Sequence, residues 1–208
     1  MTTAAALSPT RRERRKLEVR SRIIEAARHL FEQKGVQATT VADICDHADV
    51  AHKTFFNHFP AKQDVVKALA AVSMETLLGE IDAARRKGRT TSERLLHFFD
   101  SIARTASAAG PMHRELLTEI IHAAQQSPQE PEHARRLHDA FGTLVREGVK
   151  TGDVTRKHSV QTLTEMILGA YYVLMFDWAN LDEYPIARRA RAAARFLADA
   201  LAPRLEES

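Results

Sequence analysis

Apolar residues in this chain recur every three or four positions almost from end to end, and that spacing predicts helices. Val19, Ile23, Ile24, Ala27, Leu30 and Phe31 form one face of a first helix, about 12–34, with Gly35 as its C-terminal stop. Val41, Ala42, Ile44, Cys45 and Ala48 mark a second. Phe55 and Phe59, four apart, mark a short third that Pro60 ends. Val65, Val66, Leu69, Val72, Leu77, Leu78 and Ile81 run along a fourth, from about 61 to 87. Thr90 and Glu93 make a capping box for a fifth, which Gly110-Pro111 breaks. A sixth covers about 112–126, and 125–131 is a polar linker. A seventh, 132–151, buries Leu137, Phe141, Leu144 and Val145, and an eighth and ninth cover about 159–180 and 185–201. No alternation of strand length appears, so the class is all-α with nine helices. The 159–180 segment is apolar nearly all round, so it should be buried on all sides, one of them covered by a second copy of the chain.

The segment 39–62 carries the chemistry. Thr40 followed three residues on by Asp43 is a helix start: the hydroxyl can accept from unpaired backbone amides, and the acidic side chain suits the positive end of the helix. Asp49-Val50 makes a tight turn, because Asp tolerates a left-handed backbone, and Val50 should be the buried plug between the helices. Phe55 and Phe59 face inward, which leaves His52, Lys53, Thr54, Asn57 and His58 outward. Two short helices with a polar outer face are the shape of a helix-turn-helix, which places its second helix in the major groove of DNA.

Ala48, Val50, Thr54, Phe55, Phe56, His58, Phe59 and Lys62 fall in order on the signature of the TetR-type transcriptional regulators. Upstream, IIEAARHLFEQKGVQATTVADIC resembles that family's opening, and the similarity covers about Arg20 to Val72. Gly148 and Gly152 also fit the family. The resemblance implies a TetR-like fold, with an N-terminal three-helix helix-turn-helix domain and a C-terminal helical ligand-binding and dimerisation domain. The expected divisions are a flexible basic arm at 1–11, a DNA-binding domain at 12–60 (helix-turn-helix about 40–59), and a ligand-binding and dimerisation domain at 61–208. It also implies a homodimer through the helices at about 159–180 and 185–201. Three positions depart from the family pattern. Asp49 stands where glycine is usual. Ala51 replaces a capping Ser, which leaves Asp49 as the alternative acceptor. Phe56 replaces a Tyr whose hydroxyl commonly meets a phosphate.

Charge sharpens this picture. Residues 1–60 hold ten Lys and Arg against seven Asp and Glu, while the rest of the chain balances, so the whole net charge of +3 sits in the proposed DNA-binding segment. Arg11, Arg12, Arg14, Arg15 and Lys16 are its densest cluster, suited to phosphates or a minor groove. At 208 residues and 44% hydrophobic the chain can build a substantial core, and the low counts of Gly (8) and Pro (7) argue against disorder. No run approaches the roughly 18 apolar residues of a membrane span, and the N-terminus has no secretory apolar region. Cys45 is the sole cysteine, which excludes an internal disulfide and fits a reducing cytoplasm. Its place on an apolar face makes it a small core residue.

The expected function is a DNA-binding transcriptional regulator, a homodimeric repressor released from a palindromic operator by a small, largely apolar effector. His52, Lys53 and Asn57 are candidates for base edges. Thr40, Thr54, His58, Lys62, Arg14 and Arg15 are candidates for the phosphate backbone. Phe55 is a packing residue able to meet a thymine methyl. Candidate ligand contacts are His97, Phe98, Met112, His113, Leu117, Phe141, Met166 and Tyr171, each of which could equally be plain core. The ten histidines are scattered without a metal-binding spacing, so no metal is expected. No cofactor, catalytic constellation or membrane partner is expected either. The rival readings are a helical lipid or small-molecule carrier, a helical enzyme and an orphan regulator without a physiological ligand.

Overall fold

The computed structural model describes residues 10–109, 112–115, 117 and 132–203. Eight helices are bounded within them: α1 Arg11–Ala38, α2 Val41–Ala48, α3 His52–His58, α4 Lys62–Lys87, α5 Thr91–Ala108, α6 Glu132–Thr151, α7 Val160–Asn180 and α8 Ile186–Leu201. Residues 112–115 and 117 are helical too, where the sixth expected helix begins. Residues 1–9 of the expected arm and the linker at 125–131 lie outside the described residues. Among those described there is no strand, and the all-α class holds.

The chain divides into two compact units, Met1–Leu69 and Ala70–Ser208. The first runs on to Leu69 instead of ending at residue 60, because Val65, Val66 and Leu69 at the start of α4 are buried. α1 opens on a capping box that the hydrophobic pattern does not reveal: Thr10 Oγ1 accepts from Glu13 N at 3.3 Å and Glu13 Oε2 accepts from Thr10 N at 2.7 Å. Arg11 therefore lies in the helix. The helical backbone breaks at Gly35 (φ 83°), a conformation glycine adopts without a steric cost. Thr39, fully buried, then donates its hydroxyl to the Gly35 carbonyl at 2.8 Å and starts the chain towards α2. α1 packs on α2, and α2 on α3. Ile23, Ala27, Phe31, Ile44, Phe55 and Phe59 fill the space between with essentially no exposure. Each such large apolar side chain contributes about 1.5–3 kcal/mol by leaving water.

In the second unit, α5 packs along α8, α6 along α7, and α7 along α8. The centre is aromatic. Phe98 meets Phe141 edge-on at 5.0 Å between ring centroids, Phe99 at 5.2 Å and Tyr171 at 5.9 Å. Gly148 permits the close approach of α6 to the start of α5, since a Cβ there would collide with Thr91 and Val154. α7 is buried on one side only in the single chain: Leu163, Ile167, Tyr171, Leu174 and Trp178 face the core, while Met166, Tyr172, Val173 and Phe176 face outward.

Candidate nucleic-acid interface

The interface is built on α3, a helix of seven residues. A helix this short does not persist alone in water, so tertiary contacts must hold it. Phe55 and Phe59 supply them by full burial on its inner face. Arg20 of α1 adds a clamp: its guanidinium lies 4.2 Å from the Phe59 ring centroid and donates to the His58 carbonyl at 3.2 Å. The sequence reading missed Arg20. The available signal was its position three residues before Ile23, at the margin of the apolar stripe.

The approach to α3 is set by α2 and the turn. Thr40 caps α2 as its spacing predicts: Thr40 Oγ1 accepts from Asp43 N at 3.1 Å, and Asp43 Oδ2 accepts from Thr40 N at 2.8 Å and from Lys34 Nζ at 2.8 Å. The Lys34 ammonium and the Thr40 donors hold the Asp43 carboxyl well below the usual carboxylate range. Asp49 takes the left-handed conformation (φ 50°), as the turn requires. It does not cap α3. Ala51 occupies the N-cap with no side-chain hydrogen bond, because its methyl has no acceptor, and Asp49 is exposed. Val50 is half-buried and not the fully buried plug expected; its N–H donates to the Cys45 carbonyl at 3.0 Å, so backbone hydrogen bonding carries much of the turn. Cys45 is buried, and desolvation raises its thiol, which leaves it protonated and inert.

The outer face of α3 carries His52, Lys53, Phe56 and Asn57, all exposed, at the i, i+1, i+4, i+5 spacing of one helix side. Thr54 and His58 are half-buried at its edges. His58 Nδ1 is buried without a hydrogen-bond partner among the described residues. Desolvation, reinforced by Lys16 and Arg20, pushes its imidazole below the ordinary 6.5. His58 can therefore meet a phosphate as a neutral donor through Nε2. Arg14 and Arg15 are exposed on the first turns of α1, beside Arg11, Arg12 and Lys16.

Two expectations change on the geometry. Lys62, assigned above to a phosphate, directs its ammonium at the Val36 and Thr39 carbonyls, 2.8 Å each. It closes the connection between α1 and α2, leaving one donor at most for DNA. Phe55 is fully buried and cannot reach a thymine methyl. The structure also brings together two histidines that sequence left apart. His29 and His47 are exposed and stacked, with ring centroids 4.9 Å apart. Among the described residues no three His, Cys, Asp or Glu side chains gather as a metal site.

The candidate ligand contacts separate into two groups. Phe98, Phe141 and Tyr171 share the aromatic centre, Met112 is buried, and Leu117 packs against that core. His97 and His113 are half-buried, and His113 Nδ1 is buried and unpartnered among the described residues. Met166 is not with them: it lies on the outward face of α7 because helical spacing places it with Val173 and opposite Tyr171. Phe176, equally apolar, faces outward for the same reason.

A short helix held from behind, with an exposed polar face flanked by an arginine-rich helix start, defines a DNA-binding helix-turn-helix protein. The comparisons agree on which kind. Residues 23–69 match the model for bacterial regulatory proteins of the tetR family. The HTH-type transcriptional repressor KstR of Mycolicibacterium smegmatis is 25% identical over 205 residues, 95% of this chain and 96% of that protein. FadR of Thermus thermophilus, a TetR-family repressor solved with lauroyl-CoA, superposes with a TM-score of 0.66 at 24% identity, covering 91% of this chain and 98% of that one. FadR of Bacillus subtilis, solved with stearoyl-CoA, gives 0.66 at 17% identity, covering 87% and 98%. Residues 23–69 are thus similar to the DNA-binding segment of the tetR-family regulators, and the chain as a whole shares the fold of its TetR-family neighbours.

Lys62→Met should lower the stability of the first unit by about 1.5–3 kcal/mol, since two carbonyls lose a charged donor. Chemical denaturation reads this, and the salt dependence of DNA binding should stay the same; a slope reduced by about one would return Lys62 to the phosphates. A second prediction follows from His58. Its folded-state proton affinity is below that of the unfolded chain, so the stability it contributes is complete above 6.5 and drains away as pH falls through that value and below. The denaturation midpoint should drop between about pH 7.5 and about pH 5.5, and His58→Gln should flatten that drop.

Proposed function

We propose that the chain is a homodimeric repressor whose two α3 helices enter successive major grooves about 34 Å apart on a two-fold operator, and which a small, largely apolar effector releases. The observation that carries this reading is the outer face of α3. His52, Lys53 and Asn57 are exposed there, and among the described residues their side chains make no hydrogen bond or ion pair, so their polar groups are available to base edges. Asn57 can pair in two-pronged fashion with adenine and Lys53 can donate to guanine. Thr40, Thr54, His58, Arg14 and Arg15 supply backbone contacts that set register without specifying sequence.

The dimer reading rests on α7 and α8. Met166, Tyr172, Val173 and Phe176 form an outward apolar stripe on α7, exposed by 57%, 47%, 60% and 52%, with Phe196 of α8 at 71%. Side chains of this kind in one stripe mark a protein surface meant to be covered. Gly169 lies in the same stripe, and a Cβ there would meet nothing within 4 Å, which leaves room for a partner helix to come close. A symmetric four-helix arrangement of two α7–α8 pairs buries the stripe against itself.

The effector reading rests on the second unit. Phe98, Phe141 and Tyr171 offer apolar lining, and His113 offers a buried polar atom that has no partner among the described residues. Two fold neighbours hold long-chain acyl-CoA esters, which makes such esters the first compounds to test. An effector releases DNA only by preferring the conformation that DNA does not. No enzymatic step is assigned to the chain. Among the described residues no helix is long and apolar enough to cross a membrane.

Binding sites selected from random duplexes should be two-fold symmetric and should lose affinity steeply with salt. On such a site, Asn57→Ala should cost about 1–3 kcal/mol and relax preference at one base pair per half-site; a loss uniform over all sequences would remove Asn57 from base readout. Val173→Asp should shift the chain from dimer to monomer in light scattering while leaving its helical circular dichroism intact.

A further inference from the structure

The outer face of α3 contains one residue that the polar reading above leaves unused. Phe56 is 49% exposed and sits between His52 and Lys53 around the helix, on the side that faces DNA. Its ring is held edge-on to the buried Phe55, with centroids 5.4 Å apart and planes at 83°, so it is fixed from behind. Phe55 cannot itself leave the core. An exposed phenyl has no hydrogen bond to give a phosphate or a base edge. In the major groove the apolar group that distinguishes one base pair from another is the C5-methyl of thymine.

Resting on the reading of α3 as the DNA-entering helix, we infer that Phe56 is a specificity-determining residue that reads a thymine methyl. His52 and Lys53 flank it on the same helix side, four and three residues back, so the contacted thymine lies next to the base pair that Lys53 reads. A ring already fixed by Phe55 loses little conformational freedom on contact, which favours a geometric preference over a loose apolar touch. The chemistry makes a definite demand on the operator: each half-site holds a thymine whose methyl matters and whose hydrogen-bonding edge does not.

The test uses the full chain and duplexes selected from a random pool. Each thymine of the enriched half-site is replaced in turn by deoxyuridine, which removes the methyl and leaves base pairing unchanged. At one position the replacement should weaken binding about fourfold per half-site, the worth of one buried methyl group. With Phe56→Ala, thymine and uracil duplexes should bind equally at that position, while substitutions at the base pairs assigned to Asn57 keep their effect. Phe56→Leu, which keeps an apolar side chain there, should retain part of the methyl preference. The inference is overturned if no thymine shows a methyl effect, or if the effect persists undiminished in Phe56→Ala. If the pool yields no enriched sequence at all, the DNA-binding reading fails first, and that outcome is distinct from a selected site without methyl dependence.

Discussion

A seven-residue helix cannot hold itself together, and everything this protein does with DNA depends on what holds α3. The inner face does so through Phe55 and Phe59, both fully buried. Arg20 then fixes the C-terminal end by lying over Phe59 and donating to the His58 carbonyl. Lys62 ties the other side of the unit, closing the α1–α2 connection through two carbonyls. With its position fixed from one side, the other side is free to carry groups that the fold does not need. Those groups are His52, Lys53, Phe56 and Asn57.

Division of labour between inner and outer faces explains which parts of the structure were legible in the sequence. Inner faces obey period and volume, so α1, α2, α4 and the C-terminal helices follow from apolar spacing, and Gly35 marks the end of the first run as expected. The Thr40–Asp43 cap was legible because both partners lie on one turn. Contacts between elements distant in sequence were not. Nothing local predicts that Arg20 reaches residue 58, or that Lys62 spends its ammonium on residues 36 and 39. A lysine near a DNA-binding helix reads as a phosphate ligand until its carbonyl partners are seen.

The same limit appears in the second unit. Composition marks α7 as apolar on all sides, yet it cannot say which sides meet the chain's own core. The structure divides it into Leu163, Ile167, Tyr171 and Trp178 inside, and Met166, Val173 and Phe176 outside. Met166 thus moves from the candidate ligand contacts to the candidate subunit interface, while Phe98, Phe141 and Tyr171 remain together. His58 shows the converse case. Its outward position was legible, but the burial of Nδ1 beside Lys16 and Arg20, which lowers its proton affinity, depends on the packing of α1 against α3.

The central claim is that the inner face of α3 holds the helix while its outer face meets DNA. Backbone amide chemical shifts, followed by NMR as a selected duplex is added, test it most directly. Shifts should concentrate at residues 52–58 and at the arginine-rich start of α1. Shifts confined to the second unit, with α3 unmoved, would contradict it.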